Sequence, residues 1–162
     1  MKSLLSLTFF YLLMMLCLTI SGCNILQEGA DGGVKREVGC TDGELTKVLF
    51  IGNSYTSFNN IPQLFYNLSC DNGQNTELTS FNVRNNKLSD HLIDNKLAQI
   101  LEENIWDVVI LQGHGQVASM KEEDLRLDHL PSVKELVLKL SLNNPNIRIV
   151  FFQPWGKRDG DQ

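Results

Sequence analysis

The chain has 162 residues, with 14 Lys and Arg against 19 Asp and Glu and a formal net charge of −5. That balance offers no basic surface for the phosphate backbone and argues against a nucleic-acid partner. Four cysteines without a CxxC pair, and three histidines outside any ligand spacing, give no support to a structural zinc site.

The first element is MKSLLSLTFFYLLMMLCLTISGC, which has one positive charge at Lys2, an uncharged apolar run and small residues before Cys23. This is the layout of a secretory signal peptide, so residues 1–22 are expected to be removed. A signal anchor retained as a spanning helix is the alternative, because residues 4–20 approach the roughly 20 apolar residues that a span needs. Ile20-Ser21-Gly22-Cys23 resembles the bacterial lipobox, and the small residues ending in cysteine favour cleavage. That resemblance implies a lipid on Cys23, export, and attachment to a membrane on the periplasmic or cell-surface side. Cleavage removes one lysine and no acids, leaving 13 basic against 19 acidic side chains and a net charge of −6. Cys40 and Cys70 then remain in an oxidising compartment, where they are able to pair, although spacing does not place their Cα atoms.

Residues 24–45, NILQEGADGGVKREVGCTDGEL, are rich in glycine and charge and lack apolar periodicity, so residues 23–45 read as a lipidated cysteine and a flexible tether. About 115 residues, 46–162, remain for one modest domain. Within it, strand-like runs at 47–51, 77–83, 107–111 and 147–152 alternate with helical patterns, which argues for a parallel sheet with crossover helices. The first helix has Ile61, Leu64, Phe65 and Leu68 at helical spacing, Asn60 as its cap and Pro62 in its first turn. A second spans about 89–103 with a stripe of Ile93, Leu97, Ile100 and Leu101, and a third starts near Pro131 with Val133, Leu136, Val137 and Leu140. The last strand, IRIVFFQ, has no polar face and reads as buried on both sides, so a further strand and helix are expected beyond it.

In a doubly wound fold of this kind, ligands bind at the carboxyl ends of the strands, where Ser54, Gln112 and Trp155 all fall. A serine there needs a base to take its proton and donors for the oxyanion on the acyl carbon. Gly52, Asn53 and Ser54 are also ordinary turn formers, so the spacing by itself fits a plain loop as well.

VLFIGNSYTSFNNIP, residues 48–62, resembles the first block of the SGNH or GDSL-type hydrolases, in the subgroup with GNS in place of GDS. WDVVILQG, residues 106–113, is similar to the third block of members that use glutamine. The resemblance implies a three-layer α/β/α, flavodoxin-like fold and ester hydrolysis through an acyl-serine, with Ser54 as nucleophile and the Gln112 side-chain amide donating to the oxyanion. It calls for no cofactor. NVRNNKLSDHL stands where the family's second block has a glycine donor, so Asn85 or Asn86 would supply that backbone N–H, and Asn86 is the chosen match. The family's Asp-x-x-His block has no counterpart by Gln162, which implies an impaired enzyme. Of the three histidines only His114, between Gly113 and Gly115, is a candidate substitute base; His91 reads as a helix-surface or partly packed residue and His129 as part of a solvated loop. The implied substrate is a small-molecule or carbohydrate ester. The competing readings are a surface lipoprotein that binds glycan or a partner through the same cleft, a truncated and poorly folding product, and a nucleotide binder, which the absence of a phosphate loop disfavours.

Overall fold

A computed structural model describes residues 33–153. The leader, Cys23 and Trp155 lie outside the described residues. Among those described, no helix is long and apolar enough to cross a membrane.

Five strands form one sheet in the order β1-β3-β2-β4-β5: β1 Val34–Glu37, β2 Thr46–Gly52, β3 Thr76–Asn82, β4 Val108–Gln112 and β5 Arg148–Phe152. The last four are parallel, and β1 runs antiparallel to β3. Between β2 and β3 come α1 (Ser54–Ser57) and α2 (Ile61–Asp71), and between β3 and β4 come α3 (Leu88–Leu92) and α4 (Asn95–Glu103). Helical turns over Glu122–His129 lead into α5 (Leu130–Asn143) and then β5. Alternate residues of β2 enter opposite layers. Leu49 and Ile51 pack with Leu88, Leu97, Trp106 and Leu136 on the face covered by α3, α4 and α5. Val48 and Phe50 pack with Leu78 and with Ile61, Phe65 and Tyr66 of α2 on the other. The result is the expected three-layer α/β/α fold.

Four local expectations are corrected. Of the segment read as tether, residues 34–37 are an edge strand, registered from Val34 opposite Phe81 to Glu37 opposite Leu78. A disulfide between Cys40 and Cys70 then fastens the following loop to α2. In α2, Leu64 and Leu68 are exposed, because the cluster this helix covers is small and is filled by Ile61, Phe65 and Tyr66. Its cap residue Asn60 is left-handed (φ 52°) and makes no side-chain capping bond. The helix expected over 89–103 is two helices: Asp94 accepts from the N–H groups of Lys96 (2.8 Å) and Leu97 (3.3 Å), starting a new helix. Ile93 is thereby turned out, 83% exposed. β5 pairs only with β4 among the described residues, and Val150 and Phe151 are exposed, so this strand is the apolar edge that its lack of a polar face leaves when no neighbour covers it.

The turn after β3 closes through the Asn86 N–H donating to the Val83 carbonyl (3.2 Å), with Asn85 left-handed at φ 64°. A positive φ at the third position is the mark of a type II turn, which favours Gly or Asn. Asn85→Ala is therefore expected to cost about 1 kcal/mol in urea unfolding, while Asn85→Gly leaves stability unchanged or higher.

Candidate functional site

The chain leaves β2 toward β3 and returns past β2 to form β4, so the loops after β2 and β4 diverge over one crevice at the carboxyl edge of the sheet. Ligands of doubly wound folds bind at such a reversal. Ser54 stands on one side as the first residue of α1, and Gln112 closes β4 on the other.

Asn53 connects the strand to the helix. Its Oδ1 accepts from the Tyr55 N–H (3.1 Å), and its Nδ2 donates to the Asn86 carbonyl (3.0 Å), tying the first crest loop to the second. Its own N–H donates to Gln112 Oε1 (3.0 Å), which also takes the Thr56 hydroxyl (2.9 Å). A backbone N–H can only donate, so the atom it meets must be the amide oxygen of Gln112. The amide nitrogen of Gln112 therefore points away from the turn and donates to the Gly113 carbonyl. With Gln112 only 1% exposed, it is a buried clasp on the Gly52-Asn53-Ser54 turn. An added Cβ at Gly52 would lie 2.3 Å from Thr56 Oγ1 and 2.9 Å from Gln112 Oε1, so this clasp requires glycine. Gly115 is constrained likewise, its Cβ position lying 2.4 Å from the Tyr55 ring.

Ser54 is half-buried, and among the described residues its Oγ has no hydrogen-bond partner. All three histidines of the chain are described, and none is hydrogen-bonded to it. His114 Nδ1 accepts from the Gln116 N–H (3.3 Å), which leaves its proton on Nε2. His114 lines a pocket beside the crest together with Lys87, Leu88, Val117, Asp128 and His129, and Ser54 is not part of that lining. Lys87 and Asp128 pair across the mouth at 3.4 Å with both side chains about half exposed, a contact worth at most about 1 kcal/mol. The His129 ring packs against Gly113 and is not merely solvated; burial pushes its pKa down, and Asp128 partly offsets this. The N–H of Asn86 is spent on Val83 in the turn, so the backbone donor expected from Asn86 is already engaged in this structure. Among the described residues, no three His, Cys, Asp or Glu side chains converge as a metal site.

His91, expected at a helix surface or partly packed, is 1% exposed. It contacts the Phe81 ring edge-on, and its Nε2–H donates to the Gly52 carbonyl at 3.0 Å. The same carbonyl accepts the Val83 N–H (3.0 Å), so Gly52, which opens the turn to Ser54, is held from both sides. The signal was its place three residues after Leu88 on the inward stripe of α3. Thr56, fully buried, was missed for want of any pattern around it.

Burial lowers the His91 pKa, against the raising effects of the Gly52 hydrogen bond and of Asp94 and Asp90. A histidine held below its unfolded value of about 6.5 lets the unfolded chain bind more protons as pH falls, so its contribution to stability is intact above that pH and lost below it. Urea unfolding at pH 7.5 and 5.5 is expected to show this loss, and His91→Gln to reduce it; His129 accounts for the remainder of the histidine-linked fall.

No protein-family model matches the chain, and no curated protein does. Among solved structures, a protein from Slackia heliotrinireducens assigned provisionally to the SGNH hydrolases is similar in fold, with a TM-score of 0.53 and 20% identity over 71% of this chain. The match covers 59% of that protein, so the chain spans less than two thirds of its length. The likeness is one of fold, and it agrees with the arrangement of strands and crest described above.

Proposed function

We propose that this chain carries the nucleophile half of an SGNH-type ester hydrolase, in which Ser54 forms an acyl intermediate with an ester such as an acylated carbohydrate, and that lipid on Cys23 anchors it to a membrane. The observation that carries the reading is the clasp of Gln112, Asn53, Thr56 and His91 beside a serine whose hydroxyl has no hydrogen-bond partner among the described residues. Two buried side chains, His91 and Gln112, fix the backbone of two successive residues, Gly52 and Asn53, more firmly than a plain loop requires. In this reading Gln112 positions the turn while its amide faces Gly113; a rotation of that side chain would be required before it could serve an oxyanion.

A hydroxyl at neutral pH needs a base. With no histidine bonded to Ser54, this chain by itself is expected to acylate slowly, since loss of a triad member costs several orders of magnitude in rate. After prolonged incubation with an aryl acetate, intact-mass and peptide analysis should find one acetyl group, on Ser54, and none in Ser54→Ala. Acetylation spread over lysines without a Ser54 adduct would overturn the hydrolase reading. The second reading, a lipoprotein that binds glycan or a partner through this crest, draws on one observation: the adjoining pocket sets Lys87, His114, Asp128 and His129 beside Leu88 and Val117, and Ser54 is not among its lining residues.

A further inference from the structure

The antiparallel strand β1 brings the chain into the domain at the crest. Were the chain free through residue 45, it would join the sheet at the start of β2, the end opposite Ser54, and the crest would point away from the membrane. Instead β1 descends from the crest: Val34 lies opposite Phe81, which is level with Ile51, three residues before Ser54. The chain runs down past Glu37, opposite Leu78, and the Cys40–Cys70 disulfide fastens it to α2 before β2 begins. The domain is thus entered at the crest, two strands from β2, or roughly 10 Å across the sheet.

Only nine residues, 24–32, separate Cys23 from Gly33. However arranged, the ten Cα–Cα steps of that link reach at most about 36 Å. A second feature lies at the same end. Asn59 (φ 60°) and Asn60 (φ 52°) are both left-handed and break the helical path between α1 and α2 at the crest. Phe58, just before them, is 64% exposed. An aromatic ring held out beside the nucleophile helix has the form of an interfacial contact.

We propose that the Ser54 crest faces the bilayer that carries the anchor, with Phe58 seated in its interface, so that the substrate is an ester borne at the membrane surface and not one free in solution. This rests on the lipid at Cys23 proposed above. It does not depend on the chemistry at Ser54.

The test uses the full lipidated chain in vesicles of phosphatidylethanolamine and phosphatidylglycerol containing a nitroxide-labelled phospholipid. A fluorophore is placed through Phe58→Cys at the crest or through Asn146→Cys at the opposite end; both positions are exposed, so neither substitution removes a core side chain. Quenching is expected to be several-fold stronger at position 58, and Cys23→Ser is expected to leave the membrane fraction altogether. Equal quenching, or stronger quenching at position 146, would overturn the orientation while leaving the anchor intact. Membrane association unchanged by Cys23→Ser would remove the premise and the proposal with it. Neither readout involves Ser54 acylation, so a failure of the hydrolase reading is seen separately.

Discussion

Gln112→Met is expected to destabilise the domain by roughly 2–4 kcal/mol and to abolish acylation of Ser54. Methionine is similar in length but has no strong acceptor, so it strands the Asn53 N–H and the Thr56 hydroxyl, each a buried donor that now meets Gln112 Oε1. Leaving a buried donor unsatisfied costs about 1–3 kcal/mol. The Gly113 carbonyl, which takes the Gln112 amide, loses a donor as well. Urea unfolding followed by circular dichroism gives the stability, and labelling of Ser54 by a reactive ester gives the function. A loss under about 0.5 kcal/mol would mean that the turn is held by Asn53 and His91 alone, because a conventional surface substitution falls within that range.

Removing the disulfide is expected to cost a similar amount. Cys40 and Cys70 are 30 residues apart, and closing a loop of that length constrains the unfolded chain by about 3–4 kcal/mol in the loop-entropy account. The link also carries native-state contacts: the Tyr66 hydroxyl donates to the Val38 carbonyl at 2.6 Å, and Asn75 Nδ2 donates to the Gly43 carbonyl at 2.7 Å. In the Cys40→Ser, Cys70→Ser double variant, the amides of β1 should lose hydrogen-exchange protection before those of β2 and β4, because β1 pairs with β3 alone. A double variant as stable as the parent, with β1 still protected, would show that backbone pairing suffices to hold the segment.

Much of the fold was legible because the parallel strands have apolar residues on both faces. The runs expected at 47–51, 77–83, 107–111 and 147–152 are found at Thr46–Gly52, Thr76–Asn82, Val108–Gln112 and Arg148–Phe152. β1 was not legible: VKRE has no inward face to mark it, and it is a strand by backbone pairing and by a disulfide formed 30 residues away in sequence. The helix around Ile93 misled because its apolar period continues through a point where an aspartate cap competes better for the backbone donors.

The site divided in the same way. Ser54 could be placed from the strand-turn-helix pattern, since position at a strand end follows from local sequence. The orientation of Gln112 could not, because an amide carries both donor and acceptor, and only the Asn53 N–H opposite it decides which one faces the turn. His91 presents the same difficulty: whether a histidine on an apolar stripe is packed or solvated depends on what lies across from it, here Phe81 and the Gly52 carbonyl.

In the proposed reading Ser54 is the nucleophile of a built turn, and among the described residues no histidine is bonded to it. The most direct measurement is fluorophosphonate labelling of the folded chain with increasing imidazole, alongside Ser54→Ala. If Ser54 is that nucleophile, labelling is slow without imidazole, rises in rate with imidazole concentration, maps to Ser54, and is absent in the alanine variant. Folded protein that stays unlabelled at every imidazole concentration would contradict it and leave the crest as a binding surface; fast labelling without imidazole that His114→Ala removes would contradict it by supplying the base from within the chain.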